Sequence, residues 1–148
     1  MLAEKFYEKN NTKGIDVNKF YPQQAYLDML RQISDQLGEA TLLRIGEMII
    51  DNTKRRPSGV NTLEKALATI NDAYMMNHRG GEIGSYRYEK IDDKTCKMTC
   101  DNPYSCAFDM GIMRGIIKKF SPSAVVRHAE GECRAKDGSR CTYVVTLR

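Results

Sequence analysis

A chain of 148 residues, 41% hydrophobic and 28% charged, can bury one core without disulfide or metal staples and is sized for a single domain. No stretch approaches the roughly 18 apolar residues of a bilayer span, and the opening MLAEKFYEKNNTKG lacks the apolar run and small-residue cleavage site of a secretory signal, so the expected location is the cytoplasm. The net charge of +4 is spread along the chain and clusters only at Lys54-Arg55-Arg56 and Lys118-Lys119; with no recognition helix or stacking motif beside them, these runs read as solvated faces and argue against a nucleic-acid partner.

Residues 1–20 are polar, with Asn10, Asn11 and Gly14 as breakers, and read as an arm ahead of a domain spanning 21–148. Pro22 opens a first helix in which Ala25, Tyr26, Met29, Leu30, Ile33 and Leu37 recur at three- and four-residue steps, and Gly38 stops it. A second helix begins near Glu39 and carries Leu42, Leu43, Ile45, Gly46, Ile49 and Ile50 to the loop at 54–59. Asn61 or Thr62 caps a third, with Leu63, Leu67, Ile70, Ala73 and Tyr74 on its buried side; Gly80-Gly81 ends it.

The period then changes. GEIGSYRYEKI and KTCKMTC alternate about the turn signal Asp92-Asp93, which predicts an antiparallel hairpin with Cys96, Met98 and Cys100 on one face. Asp101-Asn102-Pro103 breaks the strand, and Ser105 caps a fourth helix containing Phe108, Ile112, Met113, Ile116 and Ile117. Two last strands, about 124–134 and 140–147, flank Lys136-Asp137-Gly138, a signal for a type I turn with Gly138 in the left-handed position. In that register Cys133 faces Cys141. The order is three N-terminal helices, then strand-strand-helix-strand-strand, an α+β domain whose antiparallel sheet packs against helices. The glycines of Gly80-Gly81-Glu82-Ile83-Gly84 lead into a strand rather than a helix, so they do not form a phosphate loop.

In a reducing compartment an odd set of five cysteines points to metal binding, core packing or redox chemistry rather than a disulfide framework. Two thiols on facing strands suit a soft metal ion, and Cys106, at a helix start where the dipole favours a thiolate, together with an acid, would complete a tetrahedron. The alternative is that these cysteines are small buried apolar groups. His128 shares its parity with Glu130 and Glu132 and is read as hydrogen-bonded structure or as a ligand; His78 ends the third helix and is read as a dipole-favoured cap.

The segments GGEIGSYRYEK, CDNPYSCAFDMGIMRGIIKKF and HAEGECRAKDGSRCTYVV resemble the small-molecule-sensing domains called 4-vinyl reductase domains. The stretch FYPQQAYLDMLRQISDQLGEATLLRIGEMI resembles the helical half of the same superfamily, which includes haem-based nitric-oxide sensor domains and Golgi transport-particle subunits. The likeness runs from about Phe20 and is strongest from Gly80. It implies a structural zinc held by Cys106, Glu130, Cys133 and Cys141 beside a pocket for a hydrophobic small molecule. Glu130 and Cys133 have opposite strand parity, and a bulge at Gly131 would bring them together. Cys100 departs from the pattern, and Cys100 or His128 is an alternative to Glu130 as ligand.

A cavity between helices and sheet would draw on Ile45, Met48, Tyr74, Tyr86, Phe108 and Ile112, since thioethers line adaptable pockets and tyrosines offer hydrogen bonds. Haem-binding members of the superfamily imply a second, lesser role for His78 as proximal iron ligand. The expected function is a stand-alone sensor that works by binding, with its output passed to a homodimer partner or a separate signalling protein. The alternatives are a dimeric adaptor without ligand turnover, and a haem-binding or reductase protein. Against the last stands the lack of a nucleophile–base pair and of a nicotinamide or flavin fingerprint.

Overall fold

A computed structural model describes Gly14, Asp16 and residues 18–148; most of the expected arm over 1–20 lies outside the described residues. Four helical segments come first: α1 Gln23–Leu37, α2 Glu39–Asn52, α3 Leu63–Ala68 and α4 Ile70–Asn77. They are followed by β1 Ser85–Lys90, β2 Thr95–Asp101, α5 Cys106–Phe120, β3 Val125–His128, a single 3-10 turn at Arg134–Lys136, and β4 Cys141–Thr146. This is the α+β order predicted, with one helix divided. The division falls at Thr69, whose hydroxyl bonds the Lys65 carbonyl at 2.8 Å and so competes with the helical ladder. Backbone bonds from Thr69 to Lys65 and from Ala73 to Thr69, both 3.0 Å, carry the run across the break. Thr62 caps α3 through the Lys65 N–H and Ser105 caps α5 through the Phe108 N–H, each at 3.2 Å. No helix among the described residues is long and apolar enough to cross a membrane.

The sheet is antiparallel throughout, in the order β1-β2-β4-β3. Its register sets Tyr86 beside Cys100, Cys100 beside Cys141, and Met98 beside Tyr143. These alternate residues share one face and are buried with Val145 against Phe108, Met113, Ile116 and Ile117 of α5. Behind α5 lies α2, and here the backbones touch. A Cβ at Gly46 would overlap the Phe108 carbonyl and stand 3.0 Å from the Gly111 Cα; one at Gly111 would overlap the Leu43 carbonyl. Ion pairs from Glu47 to Arg114 and from Asp51 to Lys119, both 3.1 Å, flank the crossing.

The final hairpin differs from the expected one. β3 stops at His128, and although the Ala129 N–H still reaches the Thr142 carbonyl at 2.8 Å, the chain then leaves the ladder until Cys141. Cys133 therefore has no strand partner, and Cys141 pairs with Cys100 instead. Asp137, not Gly138, takes the left-handed conformation, at φ 62°. Gly138 is glycine for another reason: a Cβ there would lie 2.7 Å from the Cys133 nitrogen, while its own N–H donates to the Cys133 carbonyl at 2.9 Å.

What pulls this loop off the ladder is Arg134, whose guanidinium enters the core to meet Asp109 at 2.5 Å. Asp109 is 0% exposed and also accepts from the Tyr86 hydroxyl at 2.7 Å and from Asn102 Nδ2 at 3.4 Å. Arg134 further donates to the Asn102 carbonyl and, at 2.8 Å, to Asn102 Oδ1. Burial alone would lower the guanidinium's pKa; the facing Asp109 charge and its hydrogen bonds outweigh that and raise it, while burial raises the Asp109 carboxyl against the opposing pull of Tyr86, Arg134 and Asn102.

The backbone contact between α2 and α5 generates a stability prediction. Gly111→Ala should cost about 2–3 kcal/mol by overpacking, whereas Met48→Ala, on the exposed side of α2, should stay within about 0.5 kcal/mol. Urea denaturation of the two variants measures both.

Candidate functional site

Four side chains that can hold a metal converge where α5, β3, the terminal loop and β4 meet. Cys106 opens α5, and the Tyr143 hydroxyl of β4 donates to its carbonyl at 2.9 Å, fixing the helix start over the sheet. Cys141 opens β4, His128 closes β3, and Cys133 precedes the 3-10 turn. The Cys106 sulfur lies 3.1 Å from that of Cys141 and 3.4 Å from that of Cys133. The ligand atoms of Cys106, His128, Cys133 and Cys141 all lie within 4.8 Å of one another.

The histidine is arranged as a ligand usually is. Its Nδ1 donates to the Ala129 carbonyl at 2.8 Å, leaving the lone pair on Nε2, and Nε2 is buried with no hydrogen-bond partner. A ring held by a carbonyl on one nitrogen and aimed into a sulfur cluster with the other is how metal-binding histidines are usually oriented, the carbonyl fixing the tautomer and the ring plane. Three sulfurs and one nitrogen fit tetrahedral zinc and leave no open coordination position. The expected acid, Glu130, is exposed and lies outside this group. The ladder ends before it, so no bulge brings it back; His128 stands in its place. Cys100 is also outside the group, fully buried opposite Cys141, and burial raises its pKa far above the ordinary thiol value. Cys96 is half-buried and pushed up to about 11 by burial; both are core thiols.

The cluster divides its charge unevenly. Burial alone would raise Cys141, but the Cys106 thiol, the His128 ring, and the N–H and guanidinium of Arg134 outweigh it and hold the group at about 6. The Arg134 N–H lies 3.4 Å from this sulfur. Cys106 is pushed up to about 12 by burial and by its two sulfur neighbours. Cys141 thus favours the thiolate and Cys106 the thiol, and a divalent cation bound here would displace the Cys106 proton, which is how metal binding couples to thiol ionisation.

A cavity of about 1530 Å³ opens between α1, the C-terminal part of α2, α3, α4 and α5, larger than the roughly 300–1,000 Å³ of common ligand pockets. Tyr26, Met29, Ile49, Phe108, Ile112 and Ile116 supply much of its apolar wall. Of the six residues expected there, Tyr74, Tyr86, Phe108 and Ile112 line it; Ile45 and Met48 do not. The face of α2 that meets α5 runs through Leu42 and Gly46, with Ile49 and Ile50 reaching the cavity, so Met48 is turned to solvent at 51% exposure and Ile45 packs against the core elsewhere. The Tyr74 hydroxyl accepts from Gln23 at 3.1 Å and donates to the Ile83 carbonyl. Tyr86 joins the cavity wall to Asp109, and through Arg134 to Cys141. Phe20, Arg55 and Arg79 also line the cavity; Arg55 belongs to the 54–56 run expected to be a solvated face, and nothing local in the sequence marks Arg79.

His78 is the C-cap of α4 and a cavity residue. Burial lowers its pKa against the opposing hydrogen bond to the Tyr74 carbonyl. Nδ1 donates to the Tyr74 carbonyl at 2.9 Å, and Nε2 accepts from the Tyr104 hydroxyl at 2.7 Å. In this arrangement Tyr104 engages the Nε2 lone pair that an iron would use, and among the described residues no cysteine lines the cavity.

No protein-family model and no curated protein sequence matches the chain. Solved structures do. An H-NOX protein from S. oneidensis in the Fe(II)NO ligation state superposes with a TM-score of 0.71 at 9% identity, covering 98% of this chain and 89% of that one. The H-NOX domain from Shewanella oneidensis in the Fe(II)CO ligation state gives 0.70 at 10% identity, covering 99% and 88%, and a mutant of T. tengcongensis H-NOX gives 0.64 at 14%, covering 97% and 85%. At such identities the likeness is one of fold: the chain has the α+β architecture of these H-NOX structures.

Proposed function

We propose that the chain is a small-molecule-sensing domain of the 4-vinyl reductase type, which binds a hydrophobic ligand in the helical cavity and is stapled by a structural zinc. The observation that carries this reading is the position of α5. Phe108, Ile112 and Ile116 face the cavity, while Cys106 and Asp109 of the same helix enter the sulfur cluster and the buried ion pair. The H-NOX neighbours carry NO or CO on this architecture, which supports a binding role. A ligand shifts an equilibrium only through preference for one state; here that preference acts on α5 and on Tyr86, and the result passes to a second copy or a separate signalling protein. The cavity offers hydrogen-bonded tyrosines and a histidine on an apolar wall, which supports a binding role. The zinc ties α5, β3, the terminal loop and β4 together, and its thiolates suit a reducing, cytoplasmic setting.

Haem is the second reading. His78 on the cavity wall favours it, and the Tyr104 hydroxyl on Nε2 opposes it. A Soret band in the purified protein, lost in His78→Ala, would replace the hydrophobic-ligand reading.

Two measurements test the proposal. Elemental analysis should find one zinc per chain, lost in Cys133→Ser, Cys141→Ser and His128→Ala and retained in Glu130→Ala; a zinc-free protein, or one dependent on Glu130, contradicts the site. Screening apolar small molecules by thermal shift should find binders, and a ligand at a hundred times its Kd should add about 2.7 kcal/mol. A panel that leaves Tm unmoved contradicts the cavity reading.

A further inference from the structure

Among the described residues the cavity wall holds five basic residues, Lys19, Arg55, Arg56, Arg79 and Lys119, and no aspartate or glutamate. That imbalance is much sharper than the chain's 23 basic against 19 acidic residues. Lys19 pairs with Asp16 at 3.9 Å and Lys119 with Asp51 at 3.1 Å. Among the described residues no carboxylate lies within ion-pair distance of Arg55, Arg56 or Arg79. Two of these three are held in place: the Arg79 and Arg55 guanidinium carbons sit 4.0 and 4.6 Å from the centroid of the Phe20 ring. Asn77 Nδ2 donates to the Arg55 carbonyl at 2.8 Å, and Arg55 Nη2 donates to the Asn18 carbonyl at 3.1 Å. Two guanidinium groups thus share one aromatic ring at one end of a cavity otherwise walled by Tyr26, Phe108, Ile112 and Ile116. Cations lining a low-dielectric hollow focus a positive potential into it, and arginine stacked on an aromatic keeps its fork of donors for an oxyanion.

We infer that the cavity selects an amphipathic anion, whose flat or branched apolar body lies along the α1 and α5 side chains and whose carboxylate or sulfonate sits at Arg55 and Arg79. This rests on the cavity being the ligand site. A neutral hydrocarbon would leave the positive field unanswered; an anion without an apolar body would leave the wall wet.

Fluorescence titration with anilinonaphthalene sulfonate and with phenylnaphthylamine, the same ring system without the sulfonate, separates the two claims. The wild-type protein should bind one sulfonate dye per chain about tenfold more tightly than the neutral dye at low salt, with the gap closing as salt rises. The double variant Arg55→Gln with Arg79→Gln should weaken the sulfonate dye about tenfold and move the neutral dye less than about twofold. Equal affinities in the wild type overturn the charge inference and leave the cavity reading standing. A tighter sulfonate dye that ignores the double substitution overturns the assignment to Arg55 and Arg79. Failure of both dyes to bind overturns the cavity reading and this inference with it.

Discussion

The geometry of the cluster depends on a charge that had to be neutralised. Asp109 stands in the first turn of α5 with no access to water, and an isolated carboxylate there would be prohibitively costly. Arg134 answers it from a loop some twenty-five residues further along, and to do so the loop must abandon strand geometry straight after β3. Everything at the cluster follows from that excursion: Cys133 approaches Cys106 from outside the ladder, the Arg134 N–H points at the Cys141 sulfur, and His128 is left as the last strand residue with one nitrogen unpartnered. Buried pairs of this kind contribute little net stability compared with an apolar replacement. Their effect here is to fix where the loop goes.

α5 is the element that the cavity and the sulfur cluster share. Its approach to α2 is so close that glycine is required at Gly46 and Gly111, and helices in backbone contact slide or tilt only as units. One face of α5 looks into the cavity, while its first turn carries Cys106 and Asp109. Tyr86 reinforces the link from the sheet side, with its ring on the cavity and its hydroxyl on Asp109. Phe108 and Ile112 on the cavity wall therefore belong to the same helix whose start stands in the sulfur cluster.

Much of the fold was legible because it rests on local pattern. Three- and four-residue apolar steps gave the helices, alternation gave the first hairpin, and Thr62 and Ser105 marked helix starts that their side chains do cap. The convergence of Cys106, Cys133 and Cys141 was also foreseen, although by a route the structure corrects, since no cross-strand pairing brings Cys133 to Cys141. Glu130 and His128 could not be told apart from strand parity. That choice turns on where β3 ends, which is set by Arg134 seeking Asp109 across the fold. Ile45 and Met48 were misplaced for a similar reason: a helix's apolar stripe does not say which part meets a neighbouring helix and which part meets a hollow. Arg55 and Arg79 carry no local signal; only the folding of α4 and the preceding loop around Phe20 turns them toward the cavity.

The central claim is that the Asp109–Arg134 pair positions the metal ligands although neither side chain belongs to them. Chelator competition on Arg134→Met, with circular dichroism establishing that the variant is folded, tests it most directly. The account predicts zinc affinity reduced about 10–100-fold relative to wild type, as for loss of an outer-shell support. A folded Arg134→Met protein that holds zinc as tightly as the wild type would contradict it.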